Sequence, residues 1–289
     1  MGTPRIGRTI NGKTECDGRQ MSEKPANSKT TVLARHLGIF ERAKAAFQRR
    51  NQDKILSAPR LSGGYRRIYQ FHIRKTGGTS IVKMFHALGG EPIGEVYQRL
   101  IETNPRVVSS GRYVFSGWQL PLIEQGDYFH AFSHIPHYRI QLPKRTWTFT
   151  CFRDPVDRVV SHYRMLLDMQ ASGSLHPCFE TEGQWLGNSF EEFLERIPRE
   201  HLLNQIYMFS ESFEIKEAIG HIRKLNHWMF LDRFHEGITR LNDLTGLALK
   251  IDHQRKSSNR FVPDAKTKAQ LQKLVEPEYE MLAQLGARC

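Results

Sequence analysis

Residues 146–152 read TWTFTCF, a nearly unbroken run of aromatic and β-branched side chains. A run of this kind suits a strand covered on both faces, as the strands of parallel sheets are. Arg153 and Asp154 follow, and Pro155 stands where a helix can begin, because the first helical position needs no N–H. Residues 156–169 continue with helical character. Strand, short turn and helix make half of a βαβ unit. Arg153 then lies at the carboxyl end of a buried strand, the end at which open α/β sheets place their ligands.

The same order recurs elsewhere in the chain. Residues 67–73 (RIYQFHI) predict a strand, and residues 79–88 a helix stopped by Gly89 and Gly90. Further strands are predicted at 113–118, 128–134 and 228–231, and further helices at 189–209, 213–225 and 264–284. Strands alternating with helices predict an α/β fold: a central, largely parallel β-sheet flanked by helices.

Composition sets the outer bounds. The chain has 289 residues, 39% of them hydrophobic and 25% charged, which excludes collagen-like, wholly disordered and small disulfide-scaffold classes. No apolar stretch approaches the ~18 residues of a membrane span. The net charge is +12, and residues 1–60 hold thirteen Lys/Arg against five acids. Residues 1–30 are polar and unpatterned and are expected to form a disordered basic arm. A helix over 31–56 and a linker at 57–64 follow, and the folded domain is expected over 65–289. A basic arm also attracts polyanions, so a polyanion-binding protein is one alternative reading. Cys16, Cys151, Cys178 and Cys289 form no C-x-x-C pair, which argues against a zinc ribbon or a disulfide framework. Cys151, inside the apolar run, is expected to be a buried thiol. The first fifteen residues lack the apolar core of a secretory signal.

Three stretches could hold an anion. Gly7 to Thr14 (GRTINGKT) matches a Walker A pattern formally, but no strand feeds it and no apolar stripe leaves it. FHIRKTGGTS, residues 71–80, has the right context: a strand before and a helix after. There Gly77 and Gly78 let the backbone curl around a ligand, while Thr76, Thr79 and Ser80 bring hydroxyls. The new helix offers unpaired amides and Lys75 a cation. The third is TFTCFRDPVDRVVSHYR, residues 148–164. Arg153 suits a phosphate dianion, and Ser161, two helical turns on, could share it. Asp154 and Asp157 are expected to orient Arg153 or Arg158.

Together these motifs resemble those of the sulfotransferase superfamily that uses 3′-phosphoadenosine 5′-phosphosulfate (PAPS). HIRKTGGTS is similar to its 5′-phosphosulfate loop and FRDPVDRVVSHY to its 3′-phosphate motif. HQRKSSNRFVPDAKTKAQLQKL, residues 253–274, resembles the C-terminal region of heparan sulfate and uronyl 2-O-sulfotransferases. The resemblance spans roughly residues 66–285 and is weakest between 89 and 125. It implies a P-loop-NTPase-like sulfotransferase fold. It also implies that Lys75, Thr76, Gly77, Gly78, Thr79 and Ser80 cradle the 5′-phosphosulfate and that Arg153 and Ser161 hold the 3′-phosphate. Ser257 and Arg260 would line the donor pocket from the C-terminal loop. Arg74 stands where the family usually has proline; it could reach an acidic acceptor.

Sulfuryl transfer needs in-line positioning, a cation at the leaving oxygen and a base for the acceptor hydroxyl. Lys75 is the expected cation. FHAFSHIPHYR offers His130, His134 and His137, and the family resemblance favours His134 as base, with the other two as alternatives. No metal is expected, since these histidines lie in a strand ending at Pro136 rather than at helical spacing. Asn204 and Gln205 are candidates for the acceptor side or for a solvated helix face. Trp118 could stack on a sugar.

The expected acceptor is a hydroxyl, most consistent with a saccharide such as a uronic acid. No nucleic-acid partner beyond the nucleotide donor and no membrane span are expected. The expected location is the cytoplasm, or the Golgi lumen if an N-terminal anchor like that of animal relatives has been removed. A phosphate-loop nucleotide kinase or NTPase is the alternative enzyme reading.

Overall fold

The computed structural model describes residues 53–54, 57–174, 176–251 and 260–287. The expected basic arm, the Walker-type match at 7–14, nearly all of the helix expected over 31–56, and Ser257 lie outside the described residues.

In chain order the elements are β1 (Arg67–Phe71), α1 (Gly78–Ala87), α2 (Ile93–Glu102), β2 (Val107–Ser110), β3 (Tyr113–Gly117), α3 (Leu120–Gln125), β4 (His130–Ser133) and β5 (Thr146–Phe152). They continue with α4 (Pro155–Ala171), α5 (Pro177–Glu182), α6 (Phe190–Arg196), α7 (Arg199–Leu202), α8 (Asn204–Tyr207) and α9 (Ile215–Ile222). β6 (His227–Phe230), α10 (Phe234–Thr245), α11 (Ala265–Leu274) and α12 (Glu276–Gln284) complete the described chain.

Among the described residues the six strands form one sheet in the order β2-β3-β4-β1-β5-β6. Every pairing is parallel except the β2–β3 hairpin. The protein is therefore α/β with a mostly parallel sheet flanked by helices. No helix among the described residues is long and apolar enough to cross a membrane.

Alternation along the strands divides the core. In β5, Trp147, Phe149 and Cys151 join a cluster with Ile81, Val82 and Phe85 of α1, Val96 and Leu100 of α2, and Ile238 and Leu241 of α10. Phe152 points the other way, into a cluster with Tyr69 and Phe71 of β1, Ile206 of α8, Ile219 of α9 and Met281 of α12. The expected double-sided burial of this strand is thus observed. Phe149 is fully buried, and burying a side chain of that size contributes about 2–3 kcal/mol. A third cluster packs Val159 and Tyr163 of α4 against Phe190 and Phe193 of α6 and Leu271 of α11. Cys151 is buried, and burial pushes its thiol pKa far up, away from reactive thiolate.

Two expected helices are broken. The one expected over 189–209 is three short helices, because Pro198 cannot continue α6 and Leu203 leaves helical geometry between α7 and α8. The one expected over 264–284 breaks at Val275, with Pro277 in the first turn of α12.

Candidate functional site

β1 lies between β4 and β5, so the segments leaving the carboxyl ends of these three strands, and of β6 beyond, converge. A cavity of about 250 Å³ opens there. Its lining includes His72, Lys75, Gly77 and Gly78 after β1, His134 after β4, Arg153 after β5 and Leu231 after β6. Thr79 and Ser80 of α1 and Ser161, Met165 and Asp168 along one face of α4 complete most of the wall. Of the residues expected to hold a donor, the structure brings together Lys75, Gly77, Gly78, Thr79, Ser80, Arg153 and Ser161, with His134 beside them. Arg260 is exposed and does not line this cavity. Thr76 is buried and turns inward, its hydroxyl donating to the Ile73 carbonyl at 3.0 Å.

The loop between β1 and α1 has two left-handed residues, Lys75 at φ 66° and Gly77 at φ 84°. A non-glycine residue in this region is strained and persists where the surroundings fix it. Gly77 caps α1 without a side chain, leaving the first turn of the helix without a competing cap. A helix end of this kind presents amides and positive dipole to an anion. A Cβ on Gly77 would stand 2.7 Å from Leu231 Cδ1, and one on Gly78 2.7 Å from His72 Cγ, with other ring atoms closer still. The Leu231 methyl ends a flexible side chain and can give way, so glycine at 77 answers to its positive φ, while glycine at 78 answers to the packed His72 ring.

The two anion motifs touch. Arg153 Nη1 donates to the Lys75 carbonyl at 3.3 Å, and its Nη2 lies 3.9 Å from Asp157. Asp157 thus meets the expectation that it orients Arg153, at a loose distance. Asp154 does something else: it caps α4 by accepting from the Asp157 amide at 2.8 Å, and it accepts from the Tyr279 hydroxyl.

Of the three candidate histidines, the structure puts only His134 at the cavity. His134 Nδ1 lies 2.5 Å from the His72 carbonyl oxygen. A carbonyl can only accept, so Nδ1 carries the proton and Nε2 keeps the lone pair. Burial pushes the His134 pKa well below the ordinary value, and His72 and Arg74 push the same way. The ring is a neutral imidazole near pH 7, able to accept a proton. His130 is buried inside the sheet, stacked on Phe85 at 3.8 Å, with both ring nitrogens unpartnered. His137 stacks on His221 at 4.5 Å, away from the cavity lining.

His72 lies in the same motif, and its place at the site comes only from the fold. Its ring packs 4.6 Å from that of His134 and lines the cavity. Burial, then Arg74 and Lys75, push its pKa down to about 3, so it too is neutral. The missing signal was the parallel pairing of β1 with β4, which the sequence does not display.

Asn204 and Gln205 are buried, which excludes a solvated helix face. They reach the two loops from behind: Asn204 Oδ1 accepts from the Arg74 amide and Gln205 Oε1 from the Arg153 amide. Trp118 sits at φ 59° at the end of β3, with Arg106 over its ring at 5.0 Å and Phe132 against its edge. A sugar stacking on that ring would have to compete with Arg106.

Arg74 does not reach outward alone. Its Nη1 pairs with Glu182 at 2.8 Å, and Glu182 accepts from His162 Nε2 at 2.7 Å. His162, Glu182 and His201 place ligand-type atoms within 4.8 Å of one another, an arrangement that could hold a metal. The cation facing this group is the Arg74 guanidinium. Burial pulls the Glu182 pKa up, but His162 and Arg74 outweigh it and hold it down at about 2. Arg74 already neutralises Glu182, so a divalent ion added there would leave uncompensated positive charge in the interior, which is costly. The cluster reads as an arginine clamp.

Compared with protein-family models and with curated proteins, the chain matches none.

Proposed function

We propose that the protein is a sulfotransferase with a P-loop-NTPase-like sulfotransferase fold, moving a sulfuryl group from PAPS to a hydroxyl, with a saccharide as the acceptor class. The observation that carries this reading is the meeting of two separate anion motifs and one neutral histidine at a single cavity. Two anion sites of this kind suit a nucleotide carrying phosphate at both ends better than a mononucleotide polyphosphate.

In this mechanism the β1–α1 loop and the start of α1 hold the 5′-phosphosulfate, and Arg153 with Ser161 holds the 3′-phosphate. His134 Nε2 takes the proton of the acceptor hydroxyl as its oxygen attacks sulfur. The S–O bond to the 5′-phosphate breaks in line, and its electron pair leaves on the phosphate oxygen. Lys75 stabilises the negative charge gathering there. Sulfated acceptor and 3′-phosphoadenosine 5′-phosphate are the products, with the proton on His134 passing to solvent.

The test is transfer of radiolabelled sulfuryl from PAPS to a panel of uronic acid-containing and neutral polysaccharides. The proposal expects label in at least one glycan, and a loss of about 10²–10⁴-fold in His134→Gln, the range general bases supply. A folded protein that labels no hydroxyl compound, and that instead transfers phosphate from ATP, would overturn it in favour of the kinase reading.

A further inference from the structure

A buried polar network behind the cavity links both anion motifs to one dipeptide. Asn204 and Gln205 open α8, adjacent in sequence but far from what they hold. Asn204 Oδ1 accepts from the Arg74 amide at 3.2 Å, one residue before Lys75. Its Nδ2 donates to the Glu200 carbonyl at 2.9 Å, which fixes which way the amide faces. Gln205 Oε1 accepts from the Arg153 amide at 2.9 Å. Its Nε2 and its backbone N–H both donate to Glu278 of α12, each at 2.7 Å.

Gln205, Glu278 and Arg158 are all fully buried. Arg158 Nε lies 3.6 Å from Glu278, and its Nη2 donates to the carbonyls of His201 and Leu202, just before α8. Two N–H groups of Gln205 and one guanidinium thus converge on one carboxylate. Gln205 and Glu278 are hydrogen-bonded to each other in a low-dielectric interior, while Arg158 Nε and Nη1 have no hydrogen-bond partner, so loss of Gln205 or Glu278 leaves further buried polar groups unpaired. Arg153 is set by an oxygen that is itself set by Glu278, and the β1–α1 loop is set by the neighbouring residue. Each loop is thus hydrogen-bonded through its backbone to α8.

We propose that Asn204, held by the Glu200 carbonyl, and Gln205, held by Glu278, are positioning residues that keep the two anion loops in one register. They thereby match the spacing between loops to the spacing between the two ends of the donor. This rests on the sulfotransferase reading for the identity of the donor. The network itself touches no reacting atom. Its effect is on how much the 3′-phosphate adds to nucleotide affinity.

Calorimetric titration separates the outcomes. The probes are 3′-phosphoadenosine 5′-phosphate and adenosine 5′-phosphate, which lacks the 3′-phosphate. In Gln205→Leu the bisphosphate is expected to weaken more than about tenfold while adenosine 5′-phosphate changes less than about twofold. In Asn204→Leu both are expected to weaken, because the shared 5′ loop loosens. The exchanged pair Gln205→Glu with Glu278→Gln keeps an acceptor for Arg153 and a donor between the two side chains. It is expected to restore bisphosphate affinity to within about threefold of wild type. This pair also serves where Gln205→Leu fails to fold, since failure to restore then counts against the proposal. Equal loss for both nucleotides in a folded Gln205→Leu, or wild-type affinity for both, overturns the positioning role while leaving the donor assignment standing. A wild-type protein that binds neither nucleotide overturns the sulfotransferase reading itself.

Discussion

Gly78→Ala tests the packing that shapes the anion loop. Gly78 opens α1 with helical geometry and carries no positive φ, so the backbone accepts alanine. Helix propensity alone would make the change stabilising by up to ~1 kcal/mol. Packing opposes it. The new Cβ would stand 2.7 Å from His72 Cγ, with the outer ring atoms closer still. The His72 ring is itself held between His134, at 4.6 Å, and Phe132, at 5.7 Å. Relief requires the ring or the helix to move by roughly 1 Å or more to reach ordinary contact distance. Overpacking of this kind costs ~1–3 kcal/mol. We expect a net loss of about 1–2 kcal/mol, a fall in Tm of ~2–8 °C for a domain of this size. Bisphosphate affinity should fall with it, because the loop amides move. The assay is thermal unfolding of Gly78→Ala, His72→Ala and the double variant. In the His72→Ala background the alanine should cost under about 0.5 kcal/mol, because the obstructing ring is gone. Wild-type stability for Gly78→Ala, or the same cost with His72 removed, would refute the reasoning.

Three further outcomes follow from the same geometry. His86 and His130 are buried without hydrogen-bond partners for their ring nitrogens, and burial pushes His86 down to about 3 and His130 well below its ordinary value. Below pH ~6.5 the unfolded chain takes up protons that the native state refuses, so stability should fall with pH by ~1.4 kcal/mol per unit for each group, until the folded pKa is reached. Urea unfolding across pH 7 to 4 measures this, and a flat profile would contradict it. Arg74→Ala leaves the buried Glu182 carboxylate without its cation, with the neutral His162 still donating to it, and should destabilise by about 3 kcal/mol; Arg74→Ala combined with Glu182→Gln should recover part of that loss in the same unfolding assay. The acid limb of the transfer rate should lie below pH 6.5, because burial, His72 and Arg74 all depress His134 against the weaker opposing pull of the His72 carbonyl and Glu182. An acid limb above that value would remove His134 from the role of base.

Where one strand carries its own signal, the sequence was a good guide. β5 is legible because both of its faces are buried, so it reads as a continuous apolar run. α4 is legible because Pro155 marks its start. The loop at 74–80 is legible because its glycines have local reasons to be glycine. The stretch from 89 to 125 was not legible as a whole. β2 has four residues, two of them serines, and is a strand because it pairs with β3 rather than through its own composition. α2 and α3 likewise fell where the resemblance was weakest. α10 was also unanticipated. Its apolar positions, Phe234, Ile238 and Leu241, are interleaved with charges and become a face only against the sheet.

The candidate site divides in the same way. Residues that sit on the two strand-to-helix loops, Lys75, Gly77 to Ser80 and Arg153, could be found by motif, whereas Thr76 of the same motif turns inward. Residues that contribute across the sheet could not. His72 meets His134 only through β1–β4 pairing, and Gln205 meets Arg153 across 52 positions of sequence. Choosing among His130, His134 and His137 needed the direction of each ring. One is stacked inside the core, one lies against His221, and one faces the cavity.

The central claim is that the cavity binds a nucleotide phosphorylated at both ends, with Arg153 on the 3′-phosphate. Calorimetric titration of 3′-phosphoadenosine 5′-phosphate into wild type, Arg153→Ala and Lys75→Ala tests it most directly. The account predicts micromolar binding to wild type and a loss of more than about tenfold in Arg153→Ala, equivalent to roughly 1.4 kcal/mol. Absence of binding to the folded wild-type protein, with ATP and magnesium binding in its place, would contradict it.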